Sequence, residues 1–139
     1  MKGRIFLDTN VVVYLFDRDA EEKRRRAREI LDREGPLGRL AISTQVLQEF
    51  YVSVTRKLAK PLDPADAYEA VQDLMALPTI QIDPNLILAS ITRSRTDTIS
   101  FWDSLIIQSA LAAGSRTLYS EDMQDGRVID GMTIENPFR

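Results

Sequence analysis

The sequence contains neither cysteine nor histidine. The first absence removes disulfides, thiolate metal sites and cysteine nucleophiles. The second removes the usual zinc hydrolases, serine–histidine triads and histidine general bases. Acid, base or metal chemistry must therefore rest mainly on Asp and Glu, whose hard oxygens suit magnesium or manganese rather than zinc or copper. Long apolar runs are missing too, since nothing approaches the roughly 20 residues that span a bilayer. The short stretch Ile5-Phe6-Leu7 meets Asp8 before a signal-peptide core can form. The expectation is a cytoplasmic protein without a membrane segment. Repeats, low-complexity tracts and Gly/Ser linkers are also absent, so residues 1–139 are expected to fold as one domain.

Charge of one sign is not in marked excess. The 18 Lys and Arg against 21 Asp and Glu leave a net charge of −3, which gives no overall field drawing the chain onto nucleic acid. Binding to a polyanion would need a local basic surface. Lys23, Arg24, Arg25 and Arg28, with Arg26 between them, are the candidate contacts to RNA phosphates; smaller groups occur at Arg56, Lys57, Lys60 and at Arg93, Arg95. Ordinary solvated helix faces are the alternative reading.

Short apolar segments alternate with longer amphipathic ones. Strands are expected at Ile5 to Leu7, Leu40 to Ile42, Ile80 to Ile82, Thr117 to Tyr119 and Met132 to Ile134. Helix signals fill the gaps. Asp19-Ala20-Glu21-Glu22 has the form of a capping box, with a stop at Gly35-Pro36. Asp63-Pro64 and Asp83-Pro84 each place a cap before a proline at the first helical position. After the first of these, Ala67, Val71, Leu74 and Met75 share a face, and Gly114 ends the helix that begins near Phe101. Alternation of this kind gives a three-layer α/β/α sandwich with a parallel sheet of about five short strands. In such folds ligands bind outside the carboxyl ends of the strands.

Several carboxylates map to that rim. Asp8 ends the first strand. Glu49 lies in the second turn of a helix starting near Ser43 or Thr44, beside the stripe Val46, Leu47, Phe50, Val54 and Leu58. Asp103 sits in the first turn of the helix from Phe101, and Asp122 and Asp125 follow the strand ending at Tyr119. Each has an ordinary explanation taken alone: a cap, a flank charge, a helix-terminal charge, a solvated turn. Together they are carboxylates that repel one another unless protons or cations intervene. One or two divalent ions held there would serve phosphodiester hydrolysis.

The same residues resemble a family. Phe6-Leu7-Asp8-Thr9-Asn10, Gln48-Glu49-Phe50, Trp102-Asp103-Ser104-Leu105-Ile106 and Leu118-Tyr119-Ser120-Glu121-Asp122 follow the order of the PIN-domain pattern over nearly the whole chain. The ending Val128-Ile129-Asp130-Gly131-Met132-Thr133-Ile134-Glu135-Asn136-Pro137-Phe138 is similar to that of bacterial VapC-type toxins. The resemblance implies a Mg2+- or Mn2+-dependent endoribonuclease that forms a homodimer and is inhibited by a small VapB-type antitoxin. It assigns Asp8, Glu49, Asp103 and Asp122 to the family's acidic positions, and Asn10 and Ser120 to polar positions that support them. Asp125 stays open between a metal ligand and a water-mediated or structural role. Other readings are an RNA-processing nuclease with no antitoxin, and a scaffold that binds RNA or protein without cutting. A phosphotransfer domain built on Asp8 is disfavoured, because Asn10 stands where the phosphatase motif requires a second Asp.

Overall fold

The computed structural model describes residues 3–139. Its first strand, β1 (Ile5–Leu7), has every residue at 0% exposure. Successive strand side chains point to opposite faces, so layers cover the sheet on both sides here. The chain then forms α1 (Thr9–Val13), a 3-10 turn at Tyr14–Phe16, and α2 (Glu21–Glu34). Next come β2 (Leu40–Ser43), α3 (Thr44–Arg56), α4 (Pro64–Leu74), β3 (Thr79–Ile80) and α5 (Pro84–Asp97). The last third holds α6 (Phe101–Ala112), β4 (Thr117–Tyr119), β5 (Val128–Ile129) and β6 (Met132–Glu135).

The sheet has six strands in the order β3-β2-β1-β4-β6-β5. Every neighbouring pair is parallel except the antiparallel β5 and β6. The expected parallel strands are thus present, with β3 lying earlier than Ile80 to Ile82. The additional strand, β5, was not anticipated. It belongs to a hairpin turned by Asp130 (φ 48) and Gly131 (φ 86). Positive φ at both central residues is the geometry that joins two right-twisted strands by a tight turn, and Asp-Gly is its sequence signature.

Most helix boundaries follow the capping chemistry. Ser43, Asp63, Asp83 and Ser100 each accept a backbone N–H three residues on. Gly114 follows the last helix with φ +72, in the left-handed region. The capping box at Asp19 is not formed. Ala20 occupies the cap position of α2 without a side-chain bond. The Asp17 carboxylate takes the Asp19 N–H at 3.1 Å, and Asp19 itself faces Lys60 at 3.7 Å. Met75 is also not on the buried face of α4, being 59% exposed. The helix ends at Leu74, and Ala67, Ala70 and Leu74 are buried instead, with Val71 packed against the core.

The topology makes a crevice. From β1 the chain adds β2 and then β3 on one side, before crossing to place β4 on the other side of β1. The loops leaving β1 and β4 diverge at this reversal, where α/β sheets hold ligands. Residues 8–10 leave one strand there and residues 120–122 leave the other.

Candidate active site

Asp8 leaves β1 in an extended conformation and caps α1, its Oδ1 accepting the Thr9 N–H at 2.7 Å. The other oxygen, Oδ2, accepts the hydroxyl of Ser120 at 2.8 Å. Ser120 is fixed in turn: its N–H donates to the Glu135 carbonyl at 2.9 Å, and its Oγ accepts from the Met123 N–H. Asp8 is only 8% exposed. Burial pushes its carboxyl up to about 6. The bonds from Ser120 and Thr9 oppose that rise, and the charges of Glu49 and Asp103 add to it.

Glu49 reaches the same place from the second turn of α3. Its Oε1 accepts the Thr9 hydroxyl at 2.7 Å, and its Oε2 the Gln45 amide at 3.4 Å. Gln45 also donates to the Trp102 carbonyl at 3.3 Å, which ties α3 to the start of α6. Its own Oε1 is buried without a partner.

Asp103 and Asp122 are the exposed members. Partial burial raises the Asp103 carboxyl, with its link to Ser100 opposing and the charges of Asp122 and Glu49 adding. Asp122 accepts the Asn10 amide at 3.0 Å, while Asn10 Oδ1 takes the Glu121 N–H at 3.4 Å. Asn10 thus pins the loop after β4 to the first turn after β1.

All four acids line one groove of about 720 Å³. Val13, Leu58 and Ile106 supply apolar wall, Trp102 stands at the rim, and Lys57 is the one Lys or Arg among the described lining residues. Asp8 is coupled to Glu49 and Asp103, and Asp103 to Asp122 and Glu49, so the four form a continuous electrostatic set. An oxygen-only donor set of like charge matches a hard divalent ion. As the side chains stand, no three acids among the described residues close around a single ion. Asp8 and Glu49 are held by hydrogen bonds in the interior of the groove, whereas Asp103 and Asp122 sit at the surface, linked to Ser100 and to the Asn10 amide.

Other sequence candidates lie elsewhere. Asp125 is turned to the carboxyl-terminal segment, accepting the Asn136 N–H at 2.8 Å and facing Arg139 at 3.4 Å. Lys23 pairs with Glu121 at 2.5 Å and donates to the Tyr14 hydroxyl, which itself donates to Glu121. Burial opposes it, but these two donors hold the Glu121 carboxyl below its ordinary value. Arg24, Arg25 and Arg28 line a separate cavity of about 350 Å³ beside Glu21 and Glu22. Sequence reasoning missed Thr9, Gln45 and the Tyr14–Lys23–Glu121 cluster. Gln45 had a readable signal, since it lies one helical turn before Glu49.

The fold is shared with known structures. The sarcin-ricin loop cleaving toxin VapC20 of Mycobacterium tuberculosis superposes with a TM-score of 0.65 at 17% identity, covering 85% of this chain and 89% of that one. A toxin–antitoxin complex from Klebsiella pneumoniae gives 0.65 at 23% identity over 96% and 97%. DNA-bound VapBC from Salmonella typhimurium gives 0.62 at 20% identity over 96% and 97%. No curated protein matches the chain. The family model described as the PIN domain matches residues 5–126, which is most of the sequence. With that match, and with the acids of Phe6-Leu7-Asp8-Thr9-Asn10 and Trp102-Asp103-Ser104 lining one groove, the chain belongs to the PIN domain family.

Proposed function

We propose that this protein is a Mg2+- or Mn2+-dependent endoribonuclease and the toxin of a toxin–antitoxin pair, acting in the cytoplasm as a homodimer. The observation that carries the nuclease reading is the convergence of Asp8, Glu49, Asp103 and Asp122 on one groove at the strand-order reversal. Likeness in fold to VapC20 and to toxin–antitoxin complexes supports the toxin reading and a small VapB-type antitoxin as partner.

In this reading the four acids hold the ion, and Asn10 and Ser120 hold the acids. The chemistry such an ion would supply there is polarisation of the scissile phosphate and acidification of a water. The rest is the work of the chain. Ser120 and the Thr9 N–H fix both oxygens of Asp8. The Thr9 hydroxyl orients Glu49, and the Asn10 amide orients Asp122. Val13 and Ile106 form an apolar flank that limits water around the reacting phosphate. Lys57 at the groove's margin meets a backbone phosphate of the strand. Arg24, Arg25 and Arg28 would meet phosphates farther along a longer RNA. Asp125 serves the fold of the carboxyl-terminal segment.

The test is cleavage of a panel of single-stranded and stem-loop RNAs by the purified protein, with magnesium or manganese and with chelator. Metal-dependent cuts that vanish in Asp8→Asn are the expected result, and intact RNA under every condition removes the nuclease reading. For the toxin reading, induced expression should arrest growth, and co-expression of a small protein encoded beside this gene should relieve it.

A further inference from the structure

Trp102 is the only tryptophan in the chain and is 62% exposed at the start of α6. An indole left in water at a helix terminus forgoes the large burial that usually decides where tryptophan sits. Its position is not that of a stray surface residue. It lines the groove of the four acids, and its neighbour in the chain is Asp103, with consecutive Cα atoms about 3.8 Å apart.

The backbone that carries the ring is fixed. Gln45 fixes the Trp102 carbonyl from α3, Ser100 caps the helix turn that carries it, and Phe101 meets it edge-on with ring centroids 5.1 Å apart. A flat aromatic face, braced beside acids suited to a phosphate-bound ion, is what a splayed nucleobase stacks on. Because every base has such a face, the contact grips any base and demands only that it be unpaired.

We infer that Trp102 is the base-stacking platform of the groove, positioning the base beside the scissile phosphate. This rests on the nuclease reading above and adds a positioning residue to it. A second copy of the chain covering the indole is the competing occupant, and the experiment separates the two.

The lone tryptophan is its own reporter. Asp8→Asn protein, which holds a strand without cutting it, is titrated with a short single-stranded oligouridylate and with an abasic ribose-phosphate strand of equal length. Stacking predicts quenching of the indole emission by oligouridylate and little change with the abasic strand. In otherwise wild-type protein, Trp102→Leu should raise KM roughly ten-fold, the scale of one lost base stack, with a much smaller change in kcat. Trp102→Phe should restore most of the loss, and a fully paired RNA duplex should be a poor substrate for all three proteins. Equal quenching by both strands, or an unchanged KM in Trp102→Leu while wild type cleaves normally, overturns the stacking role and leaves the nuclease reading intact. Emission that shifts with protein concentration alone assigns the indole to a contact between copies and overturns it too. If wild type cuts no RNA and no strand binds, both readings fall.

Discussion

Ser120 donates its hydroxyl to Asp8 at 2.8 Å across 112 residues of sequence, joining the residue that follows β4 to the one that follows β1. That bond holds the Asp8 carboxyl lower than burial alone would leave it. Ser120→Ala should therefore raise the Asp8 pKa beyond about 6 and move the acidic limb of the pH–rate profile to higher pH. Stability should drop by about 1 kcal/mol, because the Met123 N–H loses its acceptor as well. Single-turnover cleavage across pH is the measurement. Ser120→Thr should recover the wild-type limb, and an unmoved limb in Ser120→Ala would show that Asp8 titration does not govern the rate.

The elevated Asp8 carboxyl also fixes how metal-free stability responds to pH. Its unfolded pKa is about 4, while its folded value is about 6. Between those values the folded protein keeps a proton that the unfolded chain has released. Stability is then full below pH ~4 and falls as the pH rises through the folded value, by roughly 3 kcal/mol in all. Thermal melts in chelator should show that decline in wild type and lose most of it in Asp8→Asn. Magnesium or manganese should raise the melting temperature of wild type at neutral pH by binding the folded state. Equal metal responses in the two proteins would count against Asp8 as a ligand.

The acids should divide sharply by position. Partners that merely orient ligands cost 10- to 100-fold when removed, so Glu49→Gln, Asp103→Asn and Asp122→Asn should each lower cleavage by at least about 100-fold. Asp125→Asn should leave the rate near wild type, because its carboxylate is spent on Asn136 and Arg139. Its effect should be a loss of about 1 kcal/mol of stability. Comparable activity losses in Asp125→Asn and Asp103→Asn would return Asp125 to the metal site.

Lys57 and the arginines of α2 should respond differently to substrate length. Lys57 lines the acid groove, whereas Arg24, Arg25 and Arg28 line a separate cavity. For a short strand, Lys57→Gln should flatten the salt dependence of binding by about 0.7 in the log–log slope, the share of one single-strand phosphate contact. Replacing the three arginines by Gln should leave the short strand unaffected and weaken a long one. An unchanged slope in both variants would assign the whole basic surface to a protein partner or to solvent.

The sequence was most readable where local chemistry and pattern agree. Asp63-Pro64 and Asp83-Pro84 announce their helices, and the caps form as expected. The rim positions of Asp8, Glu49, Asp103 and Asp122 followed from strand–helix alternation, since each acid lies within two helical turns of a strand end or helix start. Contacts between side chains distant in sequence were not readable. Nothing near Lys23 signals that Glu121, 98 residues away, will neutralise it. The capping box at Asp19 failed because Asp17 captured the Asp19 N–H first, a local competition between two turn-forming residues. The β5 strand was missed because Val128–Ile129 is too short to show a period, and the turn at Asp130-Gly131 was missed with it.

The place of β4 between β1 and β6 has a consequence for biosynthesis. Its residues, Thr117–Tyr119, fill the middle of the sheet yet leave the ribosome after β1, β2 and β3. Until they emerge, β1 has an open edge, Asp8 lacks Ser120, and Asn10 has no Asp122 to hold. The groove is therefore not assembled until β4 has emerged, and a product of premature termination before β4 carries only part of the acidic set. In the nuclease reading proposed above, this order of assembly keeps synthesis and activity apart in time.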